Sequence, residues 1–90
     1  MGTGRTKNVT LRNYKEFERV IMDHINNSNV VFVNGIGIIA LKAKVSVGMN
    51  STRFTIEFFY TSDAEESIVW VDCDEIQYQI VLGDVLISTK

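Results

Sequence analysis

The chain contains no proline, and it has only one cysteine, one histidine and one tryptophan in 90 residues. A single cysteine cannot form an internal disulfide, which is consistent with a reducing compartment. A single histidine without further cysteines does not supply the ligands of a zinc site. Because proline is absent, charged side chains and short strands have to protect the edges of any β-sheet. These absences exclude a disulfide-stapled scaffold and a zinc-binding module.

Long apolar segments are also absent. The longest apolar run, Ile36–Ala43, is interrupted by Gly37 and Lys42, whereas a membrane-spanning helix needs about 20 apolar residues. Residues 1–7 are polar and lack the apolar segment of a signal peptide. We therefore expect a disordered tail over residues 1–7, a single α+β domain over residues 8–90, a cytoplasmic location and no contact with a membrane.

The charged residues are unevenly distributed along the chain, although the net charge is only −2. Residues 1–53 hold eight of the nine basic residues and three of the eleven acidic ones, whereas residues 54–90 hold eight acidic residues and one lysine. If the fold keeps the two halves apart, the molecule is strongly dipolar. A dipolar surface favours head-to-tail self-association or a partner that carries one sign of charge.

One amphipathic helix is predicted near the N-terminus. Asn13 is a favourable N-cap, and Glu16 three residues later completes the pattern of a capping box. The side chains on the apolar side then recur at helical spacing, at Tyr14, Phe17, Val20, Ile21, His24 and Ile25. We expect the helix to end at about Asn26, before a polar stop in which asparagine is tolerated in the left-handed conformation.

Most of the remaining chain has the composition of β-strands. Val30–Val33 is β-branched and aromatic, and Asn34-Gly35 after it is the strongest short-range signal for a type I′ hairpin turn. The other predicted strands are Lys7–Leu11, with Val9 and Leu11 facing inwards, Ile36–Val47, Phe54–Tyr60, Ile68–Cys73, Ile76–Leu82 and Val85–Ser88. Short connections predict that neighbours in sequence are neighbours in the sheet. The predicted fold class is α+β, with one N-terminal amphipathic helix packed on a curled antiparallel sheet or half-barrel of five to six strands.

A glycine-rich segment raises a nucleotide-binding hypothesis. Gly35–Ala40 fits the pattern G-x-G-x-x-A after an apolar strand, and Glu57 follows Gly35 by 22 residues, near the distance of a ribose-binding acid. In a dinucleotide site such glycines let the backbone approach a pyrophosphate at a helix N-terminus. The period-two alternation after Leu41 argues against the helix that this site requires. We rank a nucleotide-binding fold around Gly35 and Gly37 third and expect these glycines to serve a hairpin.

The sequence contains no convincing catalytic constellation. Cys73 has Asp72, Asp74 and Glu75 as neighbours, and acids oppose the lowered pKa that a nucleophilic thiol needs. A buried structural thiol is the better interpretation, with a pair between Cys73 and His24 as the alternative. The three acids could hold a hard cation such as calcium, but the other ligands of a calcium loop are missing and a solvated turn is the simpler interpretation. We predict no catalytic residue, no metal and no cofactor.

Nucleic-acid binding is the second interpretation. Basic residues could form one face if the helix lies beside the strand that carries Lys42 and Lys44, and exposed aromatic rings could stack on bases. The candidate residues are Arg12, Lys15, Arg19, Lys42, Lys44 and Arg53, with Phe59 and Trp70 as stacking residues. The sequence pI of about 5.2 argues against it.

Our preferred interpretation is a non-enzymatic protein-interaction module. An acidic rim on a small rigid sheet suits docking onto a basic protein surface, and aromatic residues dominate interface energies. The predicted partner-binding residues are Phe59, Trp70, Tyr78, Asp63, Glu65, Glu66, Asp72, Asp74 and Glu75. A small chain without catalytic chemistry fits a regulator or inhibitor of the kind that viruses and mobile elements encode.

Self-association is predicted from two adjacent aromatic residues. Phe58 and Phe59 point to opposite faces of one strand. Either the helix or something outside the monomer has to cover one of the two rings. We therefore expect a homo-oligomer.

Overall fold

The computed structural model of the protein describes residues 5–27, 30–48, 53–61 and 69–90. The fold is α+β, and the described residues form one helix and eight strands in two sheets. In chain order these are β1 (Lys7–Val9), α1 (Tyr14–Asn26), β2 (Val31–Val33), β3 (Ile36–Ile38), β4 (Lys42–Val47), β5 (Phe54–Phe59), β6 (Val69–Cys73), β7 (Ile76–Val81) and β8 (Asp84–Thr89).

The predicted single half-barrel of five to six strands is replaced by two open sheets. The five-stranded sheet has the order β1-β7-β8-β2-β3, and the three-stranded sheet has the order β4-β5-β6. The division arises because the expected long strand Ile36–Val47 breaks into β3 and β4. At the break the backbone N–H of Leu41 bonds to the carbonyl of Phe59 at 2.9 Å, while Lys42 also lies opposite Phe59. Two residues opposite one form a β-bulge, which starts the three-stranded sheet.

The five-stranded sheet is not purely antiparallel, and its order does not follow the sequence. The β7–β8 hairpin inserts between the first two strands, so that β1 pairs with β7 and β2 runs parallel to β8. The expectation that sequence neighbours would be sheet neighbours is therefore wrong for this sheet. The predicted strand Lys7–Leu11 is present as the shorter β1, which includes Lys7, a residue that we had also counted in the tail. Val9 is buried as predicted, but Leu11 lies beyond this strand with 54% of its surface exposed.

Two hairpin turns close through residues with positive φ. Asn34 has φ 52° and Gly35 has φ 84°, which confirms the predicted type I′ turn between β2 and β3. The β7–β8 turn uses Leu82 and Gly83, with φ 53° and 90°, so Leu82 belongs to the turn and not to the predicted strand Ile76–Leu82. Leu82 therefore holds a conformation that glycine and asparagine adopt more readily.

Helix α1 ends at Asn26, as the sequence predicts, but the contacts at its two ends differ from the expectation. Asn13 makes no side-chain bond to the helix, so the predicted capping box is absent. Its Oδ1 instead accepts the N–H of Thr10 at 2.7 Å, and its Nδ2 donates to the carbonyl of Asn8 at 3.2 Å. The Asn13 side chain therefore stabilises the connection between β1 and α1. At the other end Asn27 has φ −95°, which is not the left-handed conformation.

The helix covers the free edge of β4. The backbone N–H of Val45 donates to Oε2 of Glu18 at 2.7 Å, and the N–H of Ala43 donates to Sδ of Met22 at 3.2 Å. Glu18 and Met22 are one helical turn apart, which is the arrangement needed to run along a strand. These bonds satisfy backbone groups that an edge strand would otherwise present to solvent.

One hydrophobic core joins the helix and both sheets. Its largest fully buried side chains are Phe17, Ile21, Val31, Val45, Ile56, Phe58, Ile76 and Val85. The ring centroids of Phe17 and Tyr78 lie 5.0 Å apart, which connects α1 to the five-stranded sheet. Because this core occupies the inner face of each sheet, the outer face of the three-stranded sheet is available for other roles.

Candidate interaction site

Strand register defines the outer face of the three-stranded sheet. Phe54, Ile56 and Phe58 of β5 are buried in the core, so the alternate residues of β5 face away from it. Cross-strand partners share a face, and the pairing gives the rows Lys44–Glu57–Trp70 and Ser46–Thr55–Asp72. The outer face consists of Lys42, Lys44, Ser46, Thr55, Glu57, Phe59, Trp70 and Asp72.

Trp70 is the exposed aromatic residue of this face. It has 63% of its surface exposed and is the second residue of β6, an edge strand of the three-stranded sheet. A tryptophan so exposed leaves a large apolar area in contact with water, and such residues are typical anchors of protein interfaces.

The backbone of β6 also presents hydrogen-bonding groups outwards. The N–H groups of Ala43 and Val45 turn to α1, so the alternate residues of β4 bond to β5. The same alternation applies to β5, whose residues 55, 57 and 59 form backbone hydrogen bonds to β4. The backbone groups of residues 54, 56 and 58 therefore bond to their partners in β6, which are Cys73, Val71 and Val69. Trp70 and Asp72 therefore direct their N–H and C=O groups away from β5. In the part of the chain that the structure describes, no strand pairs with β6 on that side.

Two of the three predicted aromatic anchors are buried. Phe59 has 5% of its surface exposed, and the Nζ of Lys42 lies 4.8 Å from its ring centroid. Tyr78 has 6% exposed and belongs to the core. Neither ring can contact a partner without rearrangement. Phe58 is fully buried as well, so the monomer covers both adjacent phenylalanines and they give no reason for self-association.

Two of the predicted acidic residues, Asp72 and Asp74, form ion pairs with Arg53. Nε of Arg53 lies 3.4 Å from Oδ1 of Asp72, and its Nη1 lies 3.0 Å from Oδ1 of Asp74. Glu75 is exposed, and its backbone N–H and C=O both bond to Lys90. Asp63, Glu65 and Glu66, the other acids predicted to bind a partner, lie outside the described residues. Among the residues with described positions, no group of three or more histidine, cysteine or acidic side chains is placed to hold a metal ion.

The predicted basic residues divide into two groups. An α-helix turns by about 100° per residue. On this basis Lys15 and Arg19 lie next to Glu18 and Met22 on the helix surface, on the side that faces away from the core. That side adjoins the outer face, where Lys44 is exposed and Lys42 is half-buried. The helix thus lies beside the strand of Lys42 and Lys44, as the nucleic-acid interpretation required. We call Lys15, Arg19, Lys42 and Lys44 the basic surface. The other two predicted basic residues lie outside it: Arg12 is exposed before the helix, and Arg53 pairs with Asp72 of β6 and with Asp74, which follows β6.

The glycine motif serves a hairpin in the structure. Gly35 occupies the turn, and Gly37 lies opposite Phe32 in the β2–β3 pair. A Cβ added to Gly37 would lie 3.3 Å from Cε1 of Phe32, so this glycine makes room for the aromatic ring. Between residues 36 and 48 the structure describes strands and their connection and no helix, so the pyrophosphate-binding helix N-terminus of a dinucleotide site does not follow the motif.

Cys73 is a buried thiol with a raised pKa. Burial is the largest cause of the upward shift, and the carboxylates of Asp72 and Asp74 add to it against the lowering effect of Arg53. Its Sγ lies 3.8 Å from the carbonyl oxygen of Phe54. His24 uses its Nδ1 on the carbonyl of Val20, one turn earlier in α1, at 2.9 Å. This environment suits a structural thiol and opposes a nucleophilic one.

Comparisons with protein-family models, with curated proteins and with solved structures found no match to this chain. In the described part of the chain, α1 is too short and too polar to cross a membrane. The open edge of β6 is the feature of the site that sequence reasoning missed. No local signal marks it, because a strand becomes an edge through its neighbours in space.

Proposed function

We propose that the protein is a non-enzymatic protein-interaction module that adds a strand of its partner to the edge of β6. The observation that carries the proposal is the position of Trp70, which is exposed on an edge strand with outward-facing backbone groups. Strand addition gains affinity from backbone hydrogen bonds and specificity from the side chains beside them. Trp70 supplies the anchor, and the surrounding polar residues supply the rim of the interface.

The acidic residues near β6 define the electrostatics of this proposed interface. Asp72, Asp74 and Glu75 are exposed, and the C-terminal half of the chain carries most of the acidic residues. Arg53 lies against Asp72 and Asp74, so this edge carries both signs of charge and suits a partner that presents both signs in complementary positions. A module of this kind acts by occupying a surface of its partner in the cytoplasm, in the manner of a small viral or mobile-element regulator or inhibitor.

Site-specific photocrosslinking tests the proposal. A photoreactive phenylalanine analogue replaces Trp70 in the full chain, and a matched sample carries it at Leu82, which is exposed on the β7–β8 turn of the five-stranded sheet. After irradiation in the cells that naturally express the chain, position 70 should give a discrete crosslinked protein species that position 82 does not give. Equal products at both positions, or none at position 70, would contradict the proposal.

Nucleic-acid binding is the second candidate function, because α1 lies along β4 and extends the positive charge of Lys42 and Lys44 with Lys15 and Arg19. Basic side chains that track a phosphate backbone make binding depend on salt, and Trp70 lies on the adjoining outer face, where it could stack on a base.

The charge-reversal pair Lys42→Glu/Lys44→Glu tests the second candidate against single-stranded oligonucleotides. The matched control is Lys7→Glu/Lys90→Glu, which makes the same change in net charge at two exposed positions away from the basic surface. If the basic surface binds nucleic acid, the first pair weakens binding and lowers the salt slope by about 1 for each lost phosphate contact. Equal binding by both variants, or no binding by the wild type, would exclude this surface.

A further inference from the structure

Among the described residues the two sheets have four edge strands, β1, β3, β4 and β6, and three of them are protected. Strand β4 is covered by α1 through Glu18 and Met22. Strands β1 and β3 have only three residues each, and short edge strands offer little backbone for pairing. Strand β6 has five residues and no basic residue. In the described structure it is the longest edge strand that no other element covers.

We infer that the segment added to β6 is the β6 strand of a second copy of this chain, paired antiparallel about a two-fold axis through Val71. The inference rests on the proposed function, since it names the partner of the same edge. In this register Trp70 of each copy lies opposite Asp72 of the other copy. These are the residues whose backbone groups face outwards, so the two strands exchange hydrogen bonds at both positions.

The side chains beside this register are complementary on both faces. On the outer face, Trp70 approaches the partner's Asp72, whose carboxylate is 3.4 Å from the guanidinium of Arg53. An arginine held near an indole ring gains a cation–π interaction. On the inner face, the half-buried Val71 meets the same residue of the other copy. Each apolar side chain thus finds an apolar or cationic neighbour, and neither aspartate lies directly opposite an aspartate.

The proposed dimer also closes on itself. Joining two three-stranded sheets at β6 gives a six-stranded sheet whose outer strands are the two β4 strands. Both are covered by their own α1, so no further copy can add to this sheet. A two-fold interface that ends in protected edges produces a dimer and not a filament.

Cysteine crosslinking tests the register. In a non-hydrogen-bonded antiparallel pair the two Cα atoms lie about 4.5 Å apart, which is within the range of a disulfide. Val71→Cys places two thiols at that distance across the two-fold axis. We expect mild oxidation of the purified variant to give a covalent dimer. The control is Leu82→Cys, whose residue is more exposed but belongs to the β7–β8 turn of the other sheet. Failure of Val71→Cys to dimerise, or equal dimerisation of both variants, would overturn the inference.

The single tryptophan gives a second readout on the unmodified chain. Trp70 is exposed in the monomer, so dimerisation should shift its emission to shorter wavelength as the concentration rises from micromolar to millimolar. Sedimentation velocity over the same range should show the mass doubling. Trp70→Glu should remain monomeric because it places a carboxylate directly opposite the partner's Asp72, whereas Leu82→Glu should still dimerise. Circular dichroism establishes that each variant is folded.

The outcomes separate this inference from the proposed function. A purified chain that stays monomeric, together with a photocrosslink from position 70 to a different protein, overturns the second copy as partner and leaves the interaction module in place. A photocrosslinked species of twice the chain mass, together with the concentration-dependent emission shift, supports both. Constant mass and emission without any product at position 70 contradict both.

Discussion

Oε2 of Glu18 accepts the backbone N–H of Val45 at 2.7 Å, so a helix side chain satisfies the edge of a strand. We predict that Glu18→Ala lowers the free energy of unfolding by about 1 kcal/mol, because a half-buried backbone donor loses its charged acceptor. Glu18→Gln keeps an acceptor oxygen and should retain most of the stability. Urea unfolding of both variants measures the effect. Asp23→Ala, at an exposed position of the same helix, serves as control, and an equal loss in all three variants would contradict the assignment.

The turn between β7 and β8 can be improved by one substitution. Leu82 has φ 53° and 95% of its surface exposed, so it holds a left-handed conformation without contributing to the core. Leu82→Asn creates an Asn-Gly pair, like the one at Asn34-Gly35, and should raise the free energy of unfolding by roughly 0.5–1 kcal/mol. Thermal or urea unfolding measures the gain. Leu82→Ala, which lacks this preference, should give no comparable gain, and a stability equal to that of Leu82→Asn would argue against the conformational explanation.

The two glycines of the β2–β3 hairpin should respond to alanine for different reasons. Gly35→Ala strains a backbone at φ 84°, whereas Gly37→Ala brings a methyl group against the ring of Phe32. Both variants should be less stable, by about 1 kcal/mol for Gly35→Ala. In a Phe32→Ala background the cost of Gly37→Ala should disappear, while that of Gly35→Ala should persist. A double-mutant cycle from urea unfolding checks this, and an unchanged cost of Gly37→Ala would show that the ring is not its cause.

Stability should decline at alkaline pH through two buried groups. Burial raises the pKa of Cys73 above its ordinary value of 9.0, and burial together with Glu16 raises the pKa of Tyr78 above 10.0. The folded chain therefore keeps these protons more tightly than the unfolded chain. This contribution to stability is fully present below the ordinary pKa values and is lost as the pH rises from them through the raised pKa values of the folded chain, because the unfolded chain ionises first.

Two substitutions measure this alkaline effect. Tyr78→Phe keeps the ring but removes the ionisation, so its free energy of unfolding should fall less steeply than that of the wild type above pH 10. Cys73→Ala should flatten the decline that begins above pH 9. Urea unfolding across this pH range measures how steeply the free energy of unfolding falls with pH in each variant. This slope tests the prediction, and the absolute stabilities do not. Parallel pH profiles for the wild type and both variants would refute the predicted linkage.

The sequence predicted those features of the fold that depend only on a few neighbouring residues. The type I′ turn depends on two residues that tolerate positive φ, and Asn34-Gly35 supplies both. Cys73 was predicted as a structural thiol from its acidic neighbours, and it is buried with a raised pKa. The same reasoning was wrong about Asn13, because its side chain bonds to Asn8 of β1 and to Thr10 of the connection. A local capping pattern contains no information on such competing partners.

The candidate site was only partly accessible, because exposure depends on the packing of distant elements. Phe59, Trp70 and Tyr78 are all aromatic residues in strands, and nothing in their local sequence distinguishes the exposed one from the two buried ones. Phe59 is covered on the outer face with Lys42 beside its ring, and Tyr78 packs against Phe17 of the helix. These contacts join residues far apart in the chain.

The sequence by itself determined that the chain is an α+β domain with many strands, with a tight turn at Asn34-Gly35 and a charge division between its halves, because composition, periodicity and backbone preference act over a few residues. Only the tertiary structure decided that the strands form two open sheets, that β2 runs parallel to β8, that α1 covers the edge of β4, and that β6 has described neighbours on one side only. An edge is created by the absence of a neighbouring strand in space, and the hydrogen bonds that decide it connect segments whose order along the chain does not specify their pairing.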